Sequence, residues 1–249
     1  YSRRRQSIAI NKLIEDAIVE ADRKGVKVLS LGLMNQAEDI NKNGGLYLEK
    51  MPNLKVKIVD GSSLAVAVIL NSIPQGTTKV VISGSPTKVA RNVAAALIQK
   101  TIQVTTLNKQ EYKKFGLNSI MDRRDIASDH TVWLVGDETK DEDQKMAPKG
   151  TTFIPFSHFP VKKLRRDCSY LTTPAMRVPK EFENLNSCEN WLPRNVMSAW
   201  RISGLVHALE GWKENEVGYS MLQVDNVWEA ALRHGFRPLN FASSGGNGF

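Results

Sequence analysis

Apolar positions along the chain follow two patterns, one typical of helices and one typical of buried strands. Residues 7–24 carry apolar side chains at three- and four-residue spacing, among them Ile14 and Ile18, which predicts a helix ending near Gly25. Short, nearly continuous apolar runs come next, and each predicts a buried strand: residues 26–32, 56–59, 79–83, 102–107, 131–135 and 152–156.

Helical patterns separate several of these runs, at residues 64–73, 87–100 and 109–115. Strands that alternate with helices usually form parallel sheets joined by right-handed crossovers. The expected fold class is therefore α/β, with a Rossmann-like, doubly wound and mostly parallel sheet. After Pro160 prolines interrupt the pattern, and only residues 195–212 and 227–234 are predicted to be helical. The C-terminal part is expected to be less regular and helical.

The domain organisation follows from the same pattern. Residues 1–25 are interpreted as an N-terminal helix or a linker from an upstream region, and 26–240 as the Rossmann-like domain. A sub-boundary near residue 155 is an alternative, although one continuous domain is favoured. Residues 241–249 are rich in Gly and Ser and predict a disordered tail. The first residue is Tyr1 and not Met, which is compatible with a piece of a longer protein, and a free-standing domain is the alternative.

Composition narrows the class of protein. The chain has 249 residues, of which 41% are hydrophobic and 24% charged, as in ordinary globular domains, so disordered, collagen-like and coiled-coil chains are excluded. The net charge of +8 allows phosphates or anionic lipids as partners, whereas aromatic residues are too few (7%) to favour nucleic acid. Two cysteines and no secretory signal predict a reducing compartment. No apolar run is long enough to predict a membrane span.

The sharpest local feature is the turn after the strand at residues 79–83. Gly84 and Ser85 lead through Pro86 into a helix that begins near Thr87 and Lys88, and the N-terminus of such a helix can bind a phosphate. These positions predict a site for NADPH or NADH, or for the phosphates of an acyl-CoA. The dinucleotide fingerprint is incomplete, since its middle glycine is missing. An ordinary strand-to-helix turn is the alternative.

A ribose partner is also missing from the next strand. That strand ends near Lys109 without an acidic residue for the ribose 2′-hydroxyl, and the lysine would suit a 2′-phosphate better.

Two further strand ends are candidates because ligands of open α/β sheets bind outside the carboxyl ends of the strands. Gly32 ends the first of them, and Asn35 and Gln36, which come three and four residues later, can hydrogen-bond a ligand or the loop backbone. Asp60 ends the second strand and is either a ligand contact or the cap of the next helix, a role that Ser62 can also take.

Histidine and cysteine offer few catalytic candidates. The four histidines lack metal-ligand spacing, so no metal is expected in this chain. His207 is a candidate for proton transfer, and a packed histidine is the alternative. Cys188 precedes a predicted helix and is a candidate nucleophile. The alternative, for Cys188 as for Cys168, is an inert thiol.

A basic cluster follows the sixth predicted strand. Its members are Lys162, Lys163, Arg165 and Arg166. A solvated surface is the simpler interpretation, and contact with anionic lipid headgroups is the alternative.

Several segments together resemble one family. The most specific string is residues 187–193, which read Ser-Cys-Glu-Asn-Trp-Leu-Pro. Shorter similarities occur at residues 31–36, 59–68, 71–74, 87–90, 133–136, 149–157, 164–168 and 207–212. From about residue 27 to residue 239, the chain resembles the C-terminal domain of the plant very-long-chain aldehyde decarbonylases, the eceriferum/glossy family of cuticular wax synthesis.

The resemblance implies a role in making wax alkanes from very-long-chain acyl-CoA through an aldehyde, as an aldehyde oxygenase of the deformylating type. Family members work at the endoplasmic reticulum with partner subunits, and this domain is expected on the cytosolic side. Their N-terminal membrane region carries histidine boxes for a di-iron centre, and this chain has no positions that match those boxes.

The resemblance leaves two hypotheses open. In the first, the domain takes part in catalysis by binding NADPH, NADH or acyl-CoA near Gly84, with Cys188 as acyl acceptor. In the second, it is a non-catalytic module that docks partner subunits of the wax-synthesis complex or positions the membrane region.

Overall fold

The computed structural model describes residues 2–32, 38–126, 128–182 and 189–239. Its first helices and strands are α1 (Ser2–Arg23), β1 (Val28–Ser30), α2 (Glu38–Asn41), α3 (Gly45–Lys50), β2 (Lys57–Val59) and α4 (Ser62–Ser72). They are followed by β3 (Lys79–Ser83), α5 (Lys88–Gln99), β4 (Gln103–Thr106), α6 (Lys109–Lys113), β5 (Met121–Asp122), a 3₁₀ turn (Arg123–Asp125) and β6 (Val132–Val135). The remaining elements are α7 (Asp141–Lys145), β7 (Thr152–Pro155), β8 (Ser169–Tyr170), β9 (Ala175–Arg177), β10 (Val196–Ser198), α8 (Ala199–Glu210), α9 (Val224–Arg233) and β11 (Arg237–Pro238).

The chain divides into two compact units. The first consists of residues 1–67 and 199–234, and the second of residues 68–198 and 235–249. The alternative sub-boundary near residue 155 falls inside the second unit, at the end of β7.

The first unit is built around a short parallel pair of strands. β1 and β2 pair in register, Val28 with Lys57 and Ser30 with Val59. α8 packs closely against β1, because a Cβ at Gly204 would lie only 2.7 Å from the Ser30 Cβ. A cluster of buried apolar side chains completes this unit: Ile18, Ala21, Tyr47, Val56, Ile58 and Val217.

The second unit contains the main sheet. Its six strands are all parallel and lie in the order β5-β4-β3-β6-β7-β8. Counted from β3, this is the order 3-2-1-4-5-6 of the Rossmann fold. The α/β class with a Rossmann-like, mostly parallel sheet is thereby confirmed.

The central strands owe their position to continuous apolar sequence. β3 and β6 are buried along almost their whole length, as strands covered on both faces must be. Their side chains form a core in which Trp133 meets Phe153 edge to face, with ring centroids 5.9 Å apart. A three-stranded antiparallel sheet, β10-β9-β11, also belongs to the second unit.

Two expectations from the sequence are corrected. The runs at residues 26–32 and 56–59 do form strands, but they pair with each other as β1 and β2 and are not members of the six-stranded sheet. The edge positions belong to β5 and β8, which are too short to show a strand period. The helix predicted over residues 195–212 begins with a strand, since residues 196–198 pair with β9 and only α8 is helical.

Candidate functional site

The turn between β3 and α5 forms the rim at which the sequence predicts a phosphate. Gly84 has a φ of 115°, a conformation that favours glycine. Thr87 is the N-cap of α5, and its hydroxyl accepts a hydrogen bond from the Ala90 amide at 3.2 Å. The Thr87 hydroxyl is thus already engaged in capping the helix.

An aromatic ring fills the space between the ends of β3 and β6. A Cβ at Gly84 would lie 3.2 Å from the Gly136 Cα and 3.3 Å from the Phe156 ring. A Cβ at Gly136 would lie 2.5 Å from the same ring. The strand order reverses between β3 and β6, where a Rossmann fold usually binds its ligand. Here Phe156 occupies the space beside both glycines.

Acidic charge lies beside the same rim. The Ser85 hydroxyl donates a hydrogen bond to the Glu138 carboxylate. Lys88 is only 5% exposed, so little of its side chain reaches the solvent. A carboxylate at this position repels a diphosphate, so the residues do not fit the phosphates of NADPH or NADH well. Binding of either cofactor through Gly84, Ser85, Thr87 and Lys88 stays a prediction.

An open pocket lies beyond the carboxyl ends of β6 and β7. Its volume is about 690 Å³, within the range of small-ligand sites. Three segments of the second unit line it: Gly136, Asp137, Thr139, Asp141 and Gln144 after β6, Ser157 and Phe159–Lys163 after β7, and Trp191. We call it the β6–β7 pocket.

The acidic group in this pocket is perturbed. Asp137 is an exposed residue, but the pocket wall shields its carboxyl from water and raises its pKa. A hydrogen bond with Ser157 and the charge of Lys162 oppose the rise. A carboxyl whose pKa is raised holds its proton longer and can then donate a hydrogen bond.

The strand end at Asp60 in the first unit is closed by the protein itself. The Asp60 carboxylate accepts a hydrogen bond from the Ser62 amide at 2.9 Å, in agreement with the capping alternative. The buried Glu216 carboxylate accepts one from the Ser63 amide at 2.6 Å and one from the Ser203 hydroxyl at 3.3 Å. An internal carboxylate therefore occupies the N-terminus of α4, where an external anion would bind.

His207 lies on α8 with no exposed surface. Among the described residues, neither ring nitrogen has a hydrogen-bond partner of good geometry, and the ring meets Trp212 edge to face at 5.5 Å. Burial lowers the pKa of His207. Glu210 pairs instead with His234, at 2.7 Å. These features match the packed-histidine alternative, and proton transfer by His207 stays a prediction.

The other candidates are spread over the chain. Gly32 is the last residue described before a gap and has a φ of 69°. Asn35, Gln36 and Cys188 lie outside the described residues, so their roles stay predictions. Burial raises the pKa of the Cys168 thiol, which disfavours the reactive thiolate.

Members of the basic cluster make ion pairs or line the pocket, and contact of the cluster with anionic lipid headgroups stays a prediction. Arg165 pairs with Asp167 at 2.9 Å, and Lys163 pairs with Asp141 at 2.5 Å. Lys162 and Lys163 line the β6–β7 pocket.

Sequence reasoning missed the pocket residues Asp137, Phe159 and Trp191 as a group. Asp137 is visible in the sequence as a strand end, and Trp191 as part of the most specific string, but nothing in the sequence links them to each other.

Two negative findings concern the described ranges. No group of three or more His, Cys, Asp or Glu side chains within them is placed to hold a metal ion. No helix in them combines the length and apolarity needed to cross a bilayer.

Comparison with known proteins gives consistent matches. Residues 80–238 match the family model described as CER1-like, C-terminal domain. The chain is 55% identical over 241 residues to the very-long-chain aldehyde decarbonylase CER1 of Arabidopsis thaliana, covering 93% of this chain and 39% of that protein. It is 55% identical over 237 residues to the very-long-chain aldehyde decarbonylase GL1-5 of Oryza sativa subsp. japonica, covering 93% and 38%. It is 51% identical over 247 residues to the protein CER1-like 1 of Arabidopsis thaliana, covering 96% and 39%. The chain therefore spans 38–39% of the length of these relatives.

Proposed function

The chain belongs to the family of CER1-like C-terminal domains, and on this basis we propose that it serves the conversion of very-long-chain acyl-CoA or aldehydes to alkanes in cuticular wax synthesis. Its part in that conversion is to bind a ligand at the carboxyl edge of the six-stranded sheet. The oxygen and metal chemistry belongs to another region of a longer protein, where the family's di-iron centre is expected.

One observation carries this proposal. The sheet has the Rossmann strand order, and an open pocket of about 690 Å³ lies at its carboxyl edge next to the point where the order reverses. Ligands of open α/β sheets bind at that edge. The occupied rim favours an aldehyde over a nicotinamide cofactor or an acyl-CoA, because Glu138 and Phe156 lie where the diphosphate of either would bind.

Thermal unfolding with added ligand tests this function. Palmitoyl-CoA, hexadecanal, NADPH and NADH are added separately to the purified chain. A ligand at ten times its dissociation constant should raise the melting temperature by about 3–6 °C, because it binds only the folded state. We expect the shift with hexadecanal, because the other three ligands carry a diphosphate that the occupied rim disfavours. No shift with any of the four would contradict the ligand-binding function.

A docking module of the wax-synthesis complex is the second candidate. The filled rim favours this function. Phe156 packs beside Gly84 and Gly136, and the Glu138 carboxylate accepts a hydrogen bond from the Ser85 hydroxyl. An exposed apolar residue outside the pocket lining distinguishes the two functions, and Leu164, at 62% exposure, is suitable. If Leu164→Glu abolishes alkane output of the full-length protein while ligand binding by the domain is unchanged, docking is supported.

Cys188 tests the catalytic version of the proposal. Cys188→Ala in the full-length protein should abolish alkane output if the thiol accepts the acyl group. Unchanged alkane output would exclude Cys188 as the nucleophile and leave ligand binding or docking as the domain's function.

We also propose that the full-length protein works at the endoplasmic reticulum with this domain on the cytosolic side. Support comes from the sequence similarity to the family alone. Protease treatment of sealed microsomes tests it, because a cytosolic domain is digested from outside and a lumenal one is protected.

A further inference from the structure

The β6–β7 pocket has a mostly apolar wall that is partly open to solvent. Phe159 and Trp191 form its aromatic side, with ring centroids 5.0 Å apart and planes tilted by 53°. Pro160 and Val161 extend this side along the same segment. Phe159 keeps 41% of its surface exposed, which is high for a phenylalanine in a folded domain. A ligand with an apolar body would cover this surface.

The lining residues that follow β6 are held in place by hydrogen bonds. Gln144 is 4% exposed, and its side chain accepts a hydrogen bond from the Tyr170 hydroxyl at 2.6 Å. The Arg165 guanidinium donates to the backbone carbonyls of Gln144 at 2.6 Å and Ala147 at 2.7 Å. Thr139 donates from its hydroxyl to the Ser83 carbonyl at 2.9 Å. The pocket therefore exists before any ligand binds, which reduces the entropic cost of binding.

The charges that line the pocket balance one another. Lys163 pairs with Asp141 at 2.5 Å, and the second lysine, Lys162, interacts electrostatically with Asp137. Glu138 adds a further negative charge close to Asp137. A phosphate or carboxylate on a ligand would be attracted by Lys162 and repelled by the neighbouring carboxylates. The lining thus favours a neutral ligand.

A polar pair is available for one hydrogen bond to such a ligand. The Asp137 carboxyl and the Ser157 hydroxyl lie together in the pocket, after the ends of β6 and β7. The Ser157 hydroxyl donates to the Phe159 carbonyl at 3.3 Å, so the protonated Asp137 carboxyl is the donor to a ligand oxygen, and either group can accept from a ligand hydroxyl.

We propose that the β6–β7 pocket binds a long aliphatic chain that ends in a neutral carbonyl or hydroxyl group, with the chain along Phe159, Val161 and Trp191 and the oxygen at Asp137 and Ser157. This inference rests on the proposed function and deepens it by naming the residues of the site and the class of ligand.

Fluorescence quenching by a brominated alcohol tests the site. Bromine quenches indole emission at short range, so 12-bromododecanol bound in the pocket should quench Trp191. We expect saturable quenching of the chain, and we expect Trp191→Phe to lose the quenched component while the emission of the other four tryptophans remains. Phe159→Ser should weaken binding about tenfold to a hundredfold through lost apolar contact.

Matched controls separate the pocket from general apolar binding. Leu164 lies in the same segment, is 62% exposed and does not line the pocket, so Leu164→Ser should leave the affinity within about twofold. Tighter binding of 12-bromododecanoate than of the alcohol, lost with Lys162→Glu, would overturn the neutral class.

Failure of this inference is distinguishable from failure of the proposed function. If the alcohol does not quench saturably, or if Phe159→Ser and Leu164→Ser weaken binding equally, the pocket assignment is overturned. The thermal shift with palmitoyl-CoA, NADPH or NADH is read separately, and a shift there keeps the ligand-binding function at another position.

Discussion

Gly61 lies where β2 passes into α4, and its surroundings leave no room for a side chain. Its φ is 80°, and a Cβ there would lie 2.3 Å from the Trp200 carbonyl oxygen. Gly76 has a similar φ of 83°, but a Cβ there would meet no other atom within 4 Å. The two glycines share the same backbone requirement and differ only in packing.

We predict that Gly61→Ala lowers the free energy of unfolding by about 2–4 kcal/mol, from backbone strain and overpacking together. Gly76→Ala should cost about 1 kcal/mol, from backbone strain alone. Urea unfolding at pH 7 measures both. Equal losses in the two variants would show that the close approach to Trp200 does not constrain this turn.

His158 is expected to make stability depend on pH. Burial lowers its pKa to about 4, although the charge of Glu189 opposes the change. The folded state keeps the ring neutral, whereas the unfolded chain binds a proton below about pH 6.5. The contribution of His158 to the free energy of unfolding is therefore fully present above about pH 6.5 and is lost as the pH falls towards 4.

We predict a loss of about 2 kcal/mol from His158 between pH 7 and pH 5. Unfolding in urea at both pH values, for the chain and for His158→Gln, measures it. In the variant, the free energy of unfolding should differ less between pH 7 and pH 5. The difference should not vanish, because burial also lowers the pKa of His207. An unchanged pH difference in the variant would contradict the assignment.

Among the helices, α5 has a well-defined start. The Thr87 hydroxyl accepts from the Ala90 amide, and such a cap contributes about 1 kcal/mol. We predict that Thr87→Ala lowers the free energy of unfolding by this amount and that Thr87→Ser, which keeps the acceptor, costs much less. Thermal and urea unfolding measure both. If serine and alanine cost the same, the hydrogen bond does not stabilise the helix.

How far each element can be predicted depends on its length and on where its partners lie. The sequence predicts β3, β6 and β7 almost to the residue, because buried parallel strands carry continuous apolar runs. β5, β8 and β11 have two residues each, and only pairing with a distant neighbour makes them strands. β10 resembles the start of a helix in the sequence because Val196 and Met197 continue the apolar pattern of α8.

At the scale of the whole molecule, the candidate site joins parts of the sequence that no local pattern connects. Gly84 is recognisable from sequence because a glycine after a strand has a local signature. Phe156, which fills the space beside it, lies in a distant part of the sequence, after β7. The β6–β7 pocket likewise combines Asp137, Phe159 and Trp191, and only the packing of the sheet brings them together.

The central claim is that the carboxyl edge of the six-stranded sheet binds the ligand. Amide NMR spectra of the ¹⁵N-labelled chain, titrated with hexadecanal and with palmitoyl-CoA, test it most directly. With hexadecanal, the neutral ligand, we predict saturable shift changes concentrated at residues 136–139 and 157–163. Shift changes confined to residues 1–67 and 199–234, or none with either ligand, would contradict it.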